Sequence, residues 1–405
     1  MIDVSSGNVL WASSSSKSGG SNVFRFCAIV ALLVITFSFF GRTFVFGKSH
    51  DVESWACYYG SEDRTDELSG FDLLVSDPEG QDPTPLRAKG VKVLAYVSLG
   101  EVAANGPYYE EARHLNLLVR YNENWDSWVV DVRRPEWSEL LFARIIPDVL
   151  SAGYDGLFFD TLDSPIDMQR RDPETYKGTE RSCVALVRAI REKFPKMLLC
   201  QNRGFEIVRR TAPYINYLLI EGLSSSMDLA TSTRKDVPEA DRSFLIAKAN
   251  SALKANPKLV VLTLDYVPAG ERQEISKAYD FSRSLGFIPY VSTPALNEPV
   301  KRKVLVLYNG AEDRTAVDNN FIEGFAAPLN YLGFLYEVRD VAQRPLPSDK
   351  AMEEYRAVFT SFSADMMNNP DEFLNWLIHQ QKQGKKVIIA GTLGAYSDYD
   401  EKLAE

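Results

Sequence analysis

Six carboxylates in this sequence close runs of apolar residues. Asp160 ends DGLFFD and Asp163 follows it, Glu221 ends YLLIE directly before Gly222, and Asp77, Glu101 and Asp265 close FDLLVSD, VKVLAYVSLGE and LTLD. An apolar run solvates the acid at its end poorly, which disfavours the charged form, and neighbouring acids push each other's pKa values apart. One such acid is usually a cap or half of an ion pair. Six of them, on five runs, carry a desolvation cost of several kcal/mol that a functional cluster would explain. Paired carboxylates of this kind suit hydrolysis of a glycosidic bond. The histidines His50, His114 and His379 share no ligand spacing, so no metal is expected. The turns VLVLYNGAEDR and AGTLGAY lack the glycine, lysine and serine spacing of a nucleotide loop, so no cofactor is expected.

The elements that must position these acids are apolar runs at 55–60, 71–77, 91–100, 154–160, 196–202, 214–222, 259–266 and 286–292. Near-continuous apolar runs belong to strands buried on both faces, as in parallel sheets. Helical patterns separate them, for example at 135–151 and 173–194, the first opening on Pro135 with Glu136 beside it. The fold class expected is a (β/α)8 TIM barrel over residues 51–297, with the short run 128–133 assigned to the loop after the third strand. The C-terminal strand ends of such a barrel face one mouth. They would bring Tyr58, Tyr59, Asn202, Tyr266 and Tyr290 to the carboxylates, with Trp125 and Trp128 adding further surfaces for stacking on sugar rings.

Residues 298–405 read as part of a doubly wound α/β (flavodoxin-like, Rossmann-like) domain, with strands expected near 303–308, 336–341, 357–362 and 386–390. That domain is expected to be incomplete and the chain to be a piece of a longer protein. Residues 1–50 read as a disordered Ser/Gly-rich start followed by a signal peptide or signal anchor. Lys17 and Arg25 precede an apolar run at 26–40 that is short for a spanning helix. The expectation is export to the periplasm or the extracellular space, with membrane contact only through residues 26–46. Cys27, Cys57, Cys183 and Cys200 form no CxxC pair and read as buried free thiols. A formal net charge of −10 disfavours nucleic acid and anionic surfaces as partners.

In order along the chain, WACYYG, FDLLVSDP, VKVLAYVSLGEV, DVRRPEW, GYDGLFFDTLD, QNRG, LLIEGL, LTLDYV and PYVST resemble the motifs of endo-α-1,4-polygalactosaminidase-type glycoside hydrolases. The resemblance covers roughly residues 54–294. It implies cleavage within α-1,4-linked chains of galactosamine and N-acetylgalactosamine, an exopolysaccharide, with catalytic acids at Asp160 and Glu221. By analogy with barrel α-glycosidases it implies a retaining mechanism, with Asp160 as nucleophile and Glu221 as general acid/base. Asp77, Glu101, Asp163 and Asp265 are then expected to contact substrate hydroxyl and ammonium groups, and Asn202, Tyr58, Tyr59, Tyr266 and Tyr290 to shape the subsites. The partner expected is a cationic, partly deacetylated aminosugar polysaccharide, together with other proteins of exopolysaccharide export. In relatives of this kind an α/β domain and a deacetylase domain follow the hydrolase, and no deacetylase motif is read here. The alternative is a barrel that binds the polymer during export or modification without cutting it.

Overall fold

A computed structural model describes residues 9–12, 52–228, 231, 233–268, 271–298, 301–312, 314–331, 334–361 and 370–390. The chain divides into two compact units, one spanning His50–Val300 and the other combining Met1–Ser49 with Lys301–Glu405.

In the first unit the eight apolar runs form eight parallel strands: β1 Trp55–Tyr58, β2 Leu73–Ser76, β3 Lys92–Ser98, β4 Gly156–Asp160, β5 Leu198–Asn202, β6 Tyr217–Glu221, β7 Val260–Tyr266 and β8 Ile288–Ser292. Neighbours in the sheet are neighbours in sequence, and every pairing is parallel. The expected TIM barrel is present. All four residues of β1 and of β2 are buried, because alternate side chains fill the lumen and pack under the outer helices. One such helix, Thr179–Lys193, buries Cys183, Leu186, Val187 and Ile190. Spacings of three and four residues give it one apolar stripe.

No backbone ladder joins β8 to β1 among the described residues. Side chains and a loop close that seam. Trp55 Nε1 donates to Ile288 O at 2.9 Å, and Tyr59 N donates to Leu296 O at 2.7 Å. The Tyr290 ring lies 5.6 Å from Trp55 and 5.9 Å from Phe71.

Two helical expectations change. The 135–151 segment is helical throughout, but Leu141–Ile145 widens to a π turn between Pro135–Leu140 and Ile146–Ser151. Pro147 has no N–H to give to residue 143 and its ring crowds that carbonyl, so the wider turn relieves the clash. The helix expected from residue 173 starts at Thr179, because Gly178 at φ 92° breaks the spiral just before it.

The loop after β3 carries its own antiparallel sheet, Glu101–Ala103, Leu118–Asn122 and Ser127–Val130, with the last strand in the middle. The run expected as plain loop at 128–133 therefore begins as a strand, which buries Val129 and Val130. The loop after β6 forms a hairpin of Ser225–Asp228 with Thr233–Asp236.

The second unit holds a five-stranded parallel sheet in the order Val9–Ala12, Lys386–Ala390, Tyr355–Thr360, Lys303–Tyr308, Leu335–Asp340. Residues 9–12, expected within a disordered start, are a strand there; their VLWA sequence is apolar and suits an added sheet edge. The apolar segment at 26–46 and Cys27 lie outside the described residues. Among the described residues no helix is long and apolar enough to cross a membrane, and Cys57, Cys183 and Cys200 are buried free thiols.

The seam gives a direct test. Trp55→Phe keeps a ring in the seam but removes the donor to Ile288 O, and should cost about 1–2 kcal/mol in urea unfolding. Trp55→Ala should cost about 3–5 kcal/mol. If Trp55→Phe unfolds at the wild-type midpoint, this hydrogen bond does not hold the seam.

Candidate active site

Three consecutive strands deliver the centre of the site. Asp160 is the last residue of β4, Asn202 of β5 and Glu221 of β6. The residue after each has a left-handed backbone: Thr161 at φ 65°, Arg203 at φ 49° and Gly222 at φ 68°. Only the glycine adopts this conformation freely, and a β-branched Thr there is strained. Thr161 is held by its hydroxyl, which donates to Asp160 O at 2.7 Å, accepts from Gly100 N at 2.9 Å and lies 2.6 Å from Ser98 Oγ. A side chain on Gly100 would run into the Thr161 carbonyl. These turns end each strand abruptly and leave the last side chain over the mouth.

The Asn202 amide stands between the two acids. Its Nδ2 donates to Asp160 Oδ1 at 3.0 Å and to Glu221 Oε2 at 3.1 Å. Those two oxygens therefore lie no further apart than the sum of these lengths. Asn202 is 4% exposed, and its Oδ1 is buried without a hydrogen-bond partner among the described residues. Asp160 Oδ1 also accepts from Thr161 N at 2.7 Å, and Tyr96 OH reaches Asp160 Oδ2 at 3.4 Å. Glu221 Oε1 accepts from Tyr266 OH at 2.6 Å. Each acid thus faces one phenol and the shared amide.

Burial, and then the charges of Glu221 and Asp163, raise the Asp160 pKa to about 7 against the hydrogen bonds from Thr161 and Asn202. Burial pushes the Tyr266 phenol up, and the charge of Glu221 adds to that. Tyr96 moves the same way through burial and the charge of Asp160. Both phenols are therefore fixed donors. Tyr59 packs edge-on against Tyr96 at 5.8 Å. Beneath them Cys57 is buried, and burial keeps its thiol neutral.

Of the other expected contacts, Asp163 opens the helix Asp163–Arg171 and lines a cavity of about 590 Å³ with Arg120, Ser164, Asp167 and Glu206. Burial raises its pKa, and Arg203, 4.0 Å away, opposes the shift. Asp77 caps its own turn through Glu79 N at 2.9 Å. Six expectations are corrected. Glu101 is 5% exposed and accepts from Ser127 Oγ, Ser164 Oγ and Asn122 Nδ2, so it ties the small sheet to the helix after β4 and has no face for substrate. Asp265 is fully buried and accepts from Ser224 N at 2.7 Å and Ser225 N at 2.8 Å, which fixes the loop after β6. Tyr58 is buried with its hydroxyl on Glu62 O, and Tyr290 is buried in the β8–β1 seam. Trp125 and Trp128 belong to the small sheet and its turn, not to a barrel strand end.

Tyr96 and Thr161 also belong to the site, though no strand-end motif points to them. The signal for Tyr96 was parity, since it lies two residues before Ser98, the register partner of Asp160. Thr161 gave no local signal, because Thr rarely takes a positive φ. Among the described residues no group of three or more His, Cys, Asp or Glu side chains is arranged to hold a metal ion.

The sequence model of glycoside-hydrolase family GH114 matches residues 44–306. The solved glycoside hydrolase domain of PelA from Pseudomonas aeruginosa is 29% identical, with a TM-score of 0.55, over 61% of this chain and 97% of that domain. A glutamate-to-alanine variant of the same domain matches at 28% identity and a TM-score of 0.54, again over 61% and 97%. No curated protein sequence matches the chain.

The raised Asp160 pKa has a consequence for stability. The folded value is near 7 and the ordinary value 3.8. Between them the folded protein holds a proton that the unfolded chain releases. The stability this group contributes is complete below about pH 4 and is lost as pH rises through about 7. Asp160→Asn cannot titrate, so its melting temperature should gain on the wild type as pH rises from 5 to 8. A constant difference across that range would contradict the shift.

Proposed function

The chain belongs to glycoside-hydrolase family GH114, and from that premise we propose that it cleaves internal α-1,4 linkages of a galactosamine and N-acetylgalactosamine exopolysaccharide with retention of configuration. As a glycoside hydrolase it is an enzyme, so the alternative of a purely binding barrel falls away. The observation that carries the mechanism is the single Asn202 nitrogen bonded to both Asp160 and Glu221. Retaining enzymes hold their two carboxyl groups about 5–5.5 Å apart, and inverting ones about 6.5–9.5 Å, which leaves room for a water. One bridging nitrogen supports the shorter class.

In the proposed reaction Asp160 attacks the anomeric carbon while Glu221 protonates the leaving oxygen. Glu221 then takes a proton from water, which displaces Asp160 and restores both groups. Tyr96 and Tyr266 fix the carboxylates, and Asn202 offsets part of their repulsion. The carboxylates at the barrel mouth attract an ammonium-bearing polymer. Export of the chain and membrane contact through residues 26–46 belong to the same proposal, as does action alongside other proteins of exopolysaccharide export.

The reversed assignment, with Asp160 as the acid, draws support from its raised pKa. Azide separates the two readings. With the proposed roles, azide should rescue Glu221→Ala to a glycosyl azide of retained configuration and Asp160→Ala to an inverted one; the opposite pairing would reverse the roles. Glu221→Gln should lower turnover by about 10²–10⁴-fold, measured as fragment release from a partly deacetylated polymer. No release by folded wild-type protein would refute the substrate assignment. With Asp160 as nucleophile, kcat/KM should rise as pH climbs through about 7, since the free enzyme must lose that proton.

A further inference from the structure

The turn at 123–126 of the small sheet carries Trp125, which at 67% exposure is the most exposed aromatic side chain among the described residues. Single surface hydrophobics need no explanation, but this one does not stand alone. Tyr121, 42% exposed, lies directly opposite Trp128 in the ladder with its ring 5.4 Å away. Its hydroxyl donates to Asp126 Oδ1 at 2.7 Å.

The turn itself is built to hold a shape. Trp125 N donates to Asn122 O at 3.3 Å, and Asn124 N to Asn122 Oδ1 at 3.3 Å. Asp126 sits at φ 46°. Asn122 Nδ2 reaches Glu101 at 3.1 Å, and Glu101 accepts from Ser164 in the helix that begins three residues after Asp160. The aromatic tip is thus tied through two side chains to the loop behind the active site. Glu123 and Asp126 flank Trp125, both exposed. Neither forms an ion pair with a basic side chain among the described residues.

We propose that Trp125, with Tyr121, Glu123 and Asp126, is a second binding site for one hexosamine unit of the polymer, away from the linkage being cut. The inference rests on the substrate proposed above. The indole face stacks on the C–H face of a pyranose ring, and the ammonium group is drawn to the ring's electrons and to the flanking carboxylates. Charge and shape together select this occupant: an anionic chain would meet two carboxylates, and a purely apolar partner would leave them unpaired. Because the site is joined to the loops of the barrel mouth, it retains a long chain near the cleft between cuts and has no effect on a fragment too short to reach both places.

The test compares kinetics on a partly deacetylated galactosamine polymer and on a short galactosamine oligosaccharide. Trp125→Ala should raise KM on the polymer about 3–10-fold and leave kcat/KM on the oligosaccharide unchanged. Trp125→Phe should retain most of the polymer affinity. Glu123→Gln combined with Asp126→Asn should flatten the salt dependence of polymer KM. An unchanged polymer KM in Trp125→Ala, or equal losses on both substrates, would overturn the second site while leaving the substrate assignment intact. Wild-type protein that cleaves neither substrate would overturn both.

Discussion

Two carboxylates held close together repel each other, and the candidate site is organised around that repulsion. A single amide nitrogen on Asn202 donates to both, and a phenol faces the outer side of each. These donors make it possible to bring two acids close at the end of apolar strands, where water can do little to solvate them. The compensation is incomplete at Asp160, whose proton is held to about pH 7 by burial and by the neighbouring charges. A pair that keeps one proton near neutrality can divide the acid and nucleophile roles of glycoside hydrolysis.

The backbone carries the cost of this arrangement. Left-handed residues follow β4, β5 and β6 at the positions directly after Asp160, Asn202 and Glu221. Gly222 takes that conformation without penalty. Thr161 and Arg203 do not, and the Thr161 hydroxyl is locked by partners on both sides of the β3–β4 boundary. Strain at these turns depends on a barrel stiff enough to sustain it. The β8–β1 seam supplies part of that stiffness through Trp55, Tyr290 and the Leu296 carbonyl rather than through a continuous ladder.

Carboxylates near the mouth divide by burial into different duties. Glu101 and Asp265 are inside the protein and hold loops in place. Asp163 faces a cavity. The same insertion that Glu101 anchors presents Trp125 to solvent, so one buried acid connects the helix after β4 to the proposed second site.

Eight strands, their parallel arrangement and the acids that end them are legible in the residue order. Those properties are local: an apolar run reads as a buried strand, and an acid at its end has nowhere to hide. The residue order also carried the motifs of a glycoside-hydrolase family over most of the barrel. Which other strand-end residues face the mouth was not local. Tyr58 and Tyr290 looked like subsite residues but are buried, and Glu101 and Asp265 looked like ligand contacts but bind the protein's own serines and backbone. Asn202 looked like one polar residue among several, yet its amide bridges the pair. These matters depend on register between strands and on loops that fold back from distant positions, so they emerge only in the folded chain. Thr161 was invisible for the same reason, since its backbone is set by Ser98 and Gly100, some sixty positions earlier in the chain.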